Sequence, residues 1–119
     1  MRTRTTPAAG ATLLLAASLA PALAPRAAHA QDVAAGRRVA VQVCQGCHGM
    51  DGIAKLPEAP NLAAQDATYL SRQLHAYKSG ERQNEQMSVV AEGLTPEQIA
   101  DVAAYYNAIE IEVVKLPGR

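Results

Sequence analysis

The sequence has no Phe, no Trp and only four Tyr among 119 residues. Large rings ordinarily supply much of the buried area of a small domain. A core built from this chain alone is therefore short of bulk. It has two Cys, Cys44 and Cys47, which leaves no framework of several disulfides. Formal charge is balanced, with eleven Lys and Arg against eleven Asp and Glu. No basic cluster is present of the kind that binding to nucleic acid requires. No apolar run reaches the roughly 20 residues of a membrane-spanning helix. Strand-like alternation of any length is missing too, and so are internal repeats.

The first thirty residues read as a leader. Arg2 and Arg4 make a basic start, and Ala8 to Ala20 is a mostly apolar run of 13 residues between Pro7 and Pro21. Ala28-His29-Ala30 puts small residues at the two positions a signal peptidase reads. Cleavage after Ala30 is expected, through the Sec route, giving a periplasmic protein with no stable membrane insertion. Arg2 and Arg4 are separated by Thr3, which does not support a twin-arginine signal, and no Cys follows the cleavage point to carry a lipid. The expected domain is 31–119, 89 residues. Three of the eleven basic residues (Arg2, Arg4 and Arg26) go with the leader and no acidic ones do, which leaves the mature chain at −3.

Helix signals account for most of what remains. Asp32 caps a predicted helix through Val33 to about Cys44, with Gly36 inside it. Gly49 to about Asp66 reads as loop, punctuated by Gly49, Gly52, Pro57 and Pro60. Asp66 starts a second helix over about 67–78, with Ala67, Leu70, Leu74 and Tyr77 on its inner stripe and His75 facing solvent. Residues 81–94 read as a polar, then mixed, connection with Met87 in its loop. Thr95-Pro96-Glu97-Gln98 is a capping box with Pro at the first helical position. It opens a helix whose inner face is Ile99, Val102, Ala103, Tyr106 and Ile109, with Tyr105 at its edge. The expected fold is all-α, three to five helices with long loops.

The chemistry is concentrated in Cys44-Gln45-Gly46-Cys47-His48, a C-x-x-C-H pattern. Two sulfurs three residues apart on a helical turn share one face. They can form thioethers with both vinyl groups of one porphyrin, while His48 offers an imidazole to the iron. A zinc site would need about four ligands, and His75 is the only further imidazole in the domain. A redox dithiol of the thioredoxin kind needs a βαβ context, which is missing. Covalent haem also supplies the bulk that the absent aromatics leave out. For the sixth iron position, Met1 leaves with the leader and Met50 is two residues from His48, so Met87 is the thioether left to serve.

With these motifs the chain resembles class I cytochromes c, most closely a single-haem domain of the bacterial cytochrome c-four and c-five-five-three type. Pro60-Asn61-Leu62, Tyr77-Lys78-Ser79-Gly80-Glu81-Arg82 and Met87-Ser88 carry the likeness along with the C-x-x-C-H. The resemblance implies the small class I fold around one haem c. It also implies that Gly36 packs on Tyr105 or Tyr106, and that the Pro60 carbonyl accepts a hydrogen bond from His48. Cys44 and Cys47 are then the thioether residues, with His48 and Met87 the axial iron ligands. Tyr77, Lys78 and Arg82 are candidates to reach a propionate. A docking patch is expected over Met50–Ala54 and Ser88–Ala91. The implied role is a one-electron carrier, not an enzyme, between redox proteins such as a membrane oxidase, a reductase complex or a periplasmic dehydrogenase. The alternatives are a haem-relay subunit of a larger oxidoreductase and a ligand-binding haem protein with an open sixth position.

Overall fold

The computed structural model describes residues 30–118, and residues 1–29 of the expected leader lie outside them. The described residues are helical with long connections and contain no strand. Helix α1 (Val33–Val39) begins at Asp32, whose carboxylate accepts the N–H groups of Ala34 at 2.8 Å and Ala35 at 3.0 Å. It runs into a π-helical segment, Ala40–Cys44, and then a single turn, α2 (Gln45–His48). Helix α3 (Ala67–Ser79) starts from Asp66, which accepts the Tyr69 N–H at 2.7 Å. Helix α4 (Glu85–Glu92) and helix α5 (Pro96–Asn107) follow, and the expected Thr95–Gln98 capping box opens α5.

The predicted stripes decide how these helices meet. Ile99, Val102, Ala103 and Tyr106 of α5 are buried together with Val39 and Ala40 of the first helical stretch, Leu70 of α3, and Leu94. Helix α5 packs most extensively on α1 and next on α3, while α4 packs on α3. Gly36 lies where α1 crosses α5. A Cβ there would overlap the backbone carbonyl of Asp101 and come within 2.9 Å of Tyr105 Cβ. This bears out Tyr105 as the residue next to that glycine. The same crossing is tied by Asp101, buried in α5, which accepts the Asp32 backbone N–H at 2.8 Å.

Two readings need correction. Residues 85–92 form a helix, so Met87 sits in a first helical turn and not in a loop. The stretch before His48 is not a plain α-helix either. The Gln45 N–H reaches back to Ala40 O, five residues away, and the Gln45 side-chain amide donates to Val41 O at 2.6 Å. Past Ile109 the chain has no helix and is exposed through Gly118.

Candidate functional site

The one-turn helix α2 delivers His48 into the interior, where it is 7% exposed. Its Nδ1 lies 2.9 Å from the carbonyl oxygen of Pro60. A carbonyl can only accept, so Nδ1 carries the proton and Nε2 keeps its lone pair for a metal. The long loop holds Pro60 in place by folding back on itself. Gly52 O accepts the N–H groups of Leu62 at 2.7 Å and Ala63 at 3.1 Å, and Lys55 N–H donates to Cys47 O at 2.8 Å. Asn61 Oδ1 accepts the Ala54 N–H at 2.8 Å.

Cys44, Cys47 and His48 line one cavity of about 390 Å³, and Pro60 and Met87 line it as well. The five residues expected from sequence to form the site are thus brought together. Much of the remaining wall is apolar: Leu70, Leu74 and Tyr77 from α3, Val90 and Leu94 from and beyond α4, and Val102, Ala103 and Tyr106 from α5. Apolar walls with a few convergent polar groups are what a bound cofactor requires. Met87 is half-buried and its turn is fixed by Asn84, whose Oδ1 accepts the N–H groups of Gln86 at 3.1 Å and Met87 at 2.9 Å.

The residues set aside in the sequence lie elsewhere. His75 is exposed and does not border the cavity. Met50 packs against the core outside it, and its carbonyl accepts the Tyr105 hydroxyl at 2.7 Å. Burial pushes the Cys44 thiol up to about 11, against a lowering contribution from its hydrogen bond with Tyr106. Tyr106 is itself raised well above the usual phenol range, first by burial and then by Cys44 beside it. At neutral pH the nucleophilic thiolate of Cys44 is scarce in this folded arrangement.

Two expectations about the rim change. Arg82 and Tyr77 border the cavity, with the Arg82 guanidinium 4.6 Å from the Tyr77 ring centre and bonded to Gln73 Oε1 at 2.6 Å. Lys78 does not join them. Its Nζ donates to the carbonyls of Glu92 at 2.7 Å and Leu94 at 2.8 Å. Of the two stretches expected to form a docking patch, only 88–91 reaches the cavity, through Val90. None of residues 50–54 borders the cavity, Asp51 there carries a carboxylate paired with Lys55 at 3.0 Å, and Ala91 is fully buried. Val43, Leu56 and Tyr69 are the large apolar side chains that are both exposed and on the cavity wall.

Comparison with known proteins agrees with this geometry. Residues 33–109 match the family model for cytochrome c. The chain is 44% identical over 84 residues to cytochrome c-554(548) of Halomonas halodenitrificans, covering 68% of this chain and all of that protein. It is 38% identical over 86 residues to cytochrome c4 of Pseudomonas aeruginosa, covering 72% of this chain and 43% of the relative. Among solved structures, the thiosulfate dehydrogenase of Marichromatium purpuratum aligns with a TM-score of 0.62 at 37% identity, over 66% of this chain and 19% of that one. The chain thus spans the whole of the first of these proteins and less than half of the other two.

Proposed function

The chain belongs to the cytochrome c family as a class I domain with one covalently bound haem c, and we propose that it is an exported one-electron carrier with no enzymatic activity of its own. Cys44 and Cys47 would hold the porphyrin through thioethers, and His48 and Met87 would bind its iron. The observation that carries this reading is the 2.9 Å contact from His48 Nδ1 to Pro60 O, in a cavity that Cys44, Cys47 and Met87 also line. The haem supplies a single ferric–ferrous couple.

This chain's residues do the rest. Pro60 fixes the imidazole plane and its tautomer, and by drawing on the Nδ1 proton makes Nε2 a stronger donor. The thioether of Met87 is soft and favours the ferrous state, which raises the potential. With His48 and Met87 both bound to the iron, no position on it would be left for a substrate. Leu70, Leu74, Val90 and Val102 exclude water from the cavity. Arg82, stacked on Tyr77 at the cavity, would meet a propionate. Val43, Leu56 and Tyr69 offer the exposed apolar edge where a redox partner docks. Partners of the kinds expected, an oxidase, a reductase complex or a dehydrogenase, suit such an edge.

An absorption spectrum of the purified protein, oxidised and then reduced, tests this. A c-type reduced spectrum together with the weak far-red band of methionine sulfur on ferric iron is the expected result. Haem without that band would remove Met87 as ligand, and no haem from cells able to attach it would end the reading. The likeness to part of a thiosulfate dehydrogenase favours a second reading, a relay domain within or beside a larger oxidoreductase. Isolation as a stable monomer that exchanges electrons in solution decides for the free carrier.

A further inference from the structure

Lys78 has no part in the cavity wall, yet two of its three ammonium donors are engaged at one place. Nζ donates to Glu92 O at 2.7 Å and to Leu94 O at 2.8 Å. Glu92 is the last residue of α4, and Leu94 is the second residue beyond it. The last carbonyls of a helix have no partner within the helix and carry its negative dipole end. A cation that bonds them directly satisfies both needs at once. Helix α4 has no basic residue of its own in its last turn, so Lys78 from α3 supplies what the local sequence omits.

The position matters because α4 is short and carries Met87 in its first turn. Asn84 fixes the N-terminal end through its two backbone bonds. Lys78 fixes the other end, and through Leu94 it also fixes the corner that leads into the Thr95 cap of α5. Helix α3 is a steady base for that clamp, since it packs on both α4 and α5. We infer that Lys78 is a positioning residue for Met87: by clamping the C-terminal end of α4 it holds the thioether against the iron. The inference rests on Met87 being the axial ligand.

The experiment uses the holoprotein. Imidazole binding to the ferric protein is followed by stopped flow at saturating imidazole, where the rate is set by departure of the methionine sulfur. Lys78→Met keeps the aliphatic stem and removes the charge and the donors. It should raise that limiting rate about tenfold or more, the scale of losing charge-assisted hydrogen bonds to two carbonyls from an exposed ammonium, while Lys78→Arg, which can still donate to two carbonyls, should stay near the wild-type rate. Lys78→Gln is read in the same way should Lys78→Met give no holoprotein. Rates unchanged in the charge-removing variant, even with a lower melting temperature, would overturn the inference and leave Met87 ligation standing. Absence of the far-red band in the wild-type protein would instead overturn Met87 ligation, and the role of Lys78 with it.

Discussion

The hydroxyl of Tyr106 donates to the carbonyl of Gly49 at 3.0 Å, and both residues are buried. One bond therefore ties the last helix to the residue that follows His48. Gly49 has φ +72°, which suits glycine and ends the turn as soon as the histidine has been delivered. Tyr106→Phe removes the hydroxyl and leaves that buried carbonyl with only the longer bond from the Gly52 N–H at 3.3 Å. The expected loss is about 0.5–1.5 kcal/mol, read from urea denaturation of the holoprotein. The far-red band should survive, because Met87 is held from α3 and α4.

Gly36→Ala sets two effects against each other. In a helix interior alanine is better than glycine by about 1 kcal/mol. At this crossing the new methyl meets the Asp101 backbone, which cannot rotate away as a side chain can. Overpacking of that sort costs about 1–3 kcal/mol and occasionally more, and the helices must part. A net loss of stability by chemical denaturation is the expected outcome. A more stable variant would show that α1 and α5 separate without penalty.

The proton assigned to His48 Nδ1 can be observed directly. In the reduced, diamagnetic holoprotein it should appear by nitrogen-edited NMR as a slowly exchanging resonance coupled to Nδ1, because Pro60 accepts it inside the fold. A rapidly exchanging proton, or none, would mean that the loop opens and that Pro60 does not fix the ring.

Much of this site could be read before any coordinates, and the reasons are local. Asp32, Asp66 and Thr95 cap where their side-chain chemistry says they should, and the stripe of α5 buries as its 3.6 period requires. Helix α4 was missed because Glu81 to Gln86 is polar and exposed. A usable signal was present all the same. Asn84 followed by Glu85 is a helix start, and Met87, Val90, Ala91 and Leu94 fall at i, i+3, i+4 and i+7. The π-helical turn before Cys44 left no such mark, since hydrophobic period does not distinguish i+4 from i+5 bonding over five residues. The partner of Lys78 was also out of reach. The carbonyls it binds are 14 and 16 residues away in sequence, and only the packing of α3 on α4 brings them near.

Met87→Ala should convert a closed iron site into an open one. Loss of the far-red band, binding of carbon monoxide by the reduced protein at neutral pH, and a lower reduction potential are expected together. His75 cannot substitute from its exposed position off the cavity. A variant that stays six-coordinate by its spectrum would mean that another side chain reaches the iron.

The last prediction concerns the protein without haem. Among the described residues the largest fully buried side chains are Tyr106 and Ile99, and alanines make up much of the remaining core. A domain of this size is marginal even with an ordinary complement of large apolar groups. Here the inner faces of α3, α4 and α5, which pack on one another in part, also wall a cavity of about 390 Å³. Filling it with water would leave Leu74 and Val90 partly hydrated, at about 25 cal/mol for each Å² of apolar surface left wet. Closing it would require α3, α4 and α5 to shift from the packing they have around it. Either route costs stability that a domain of this size has little of. Cys44→Ala, Cys47→Ala protein made without haem should therefore show little helix by circular dichroism and no cooperative thermal transition. A sharp transition would mean that the helices pack adequately alone, and that the porphyrin enters a core already formed.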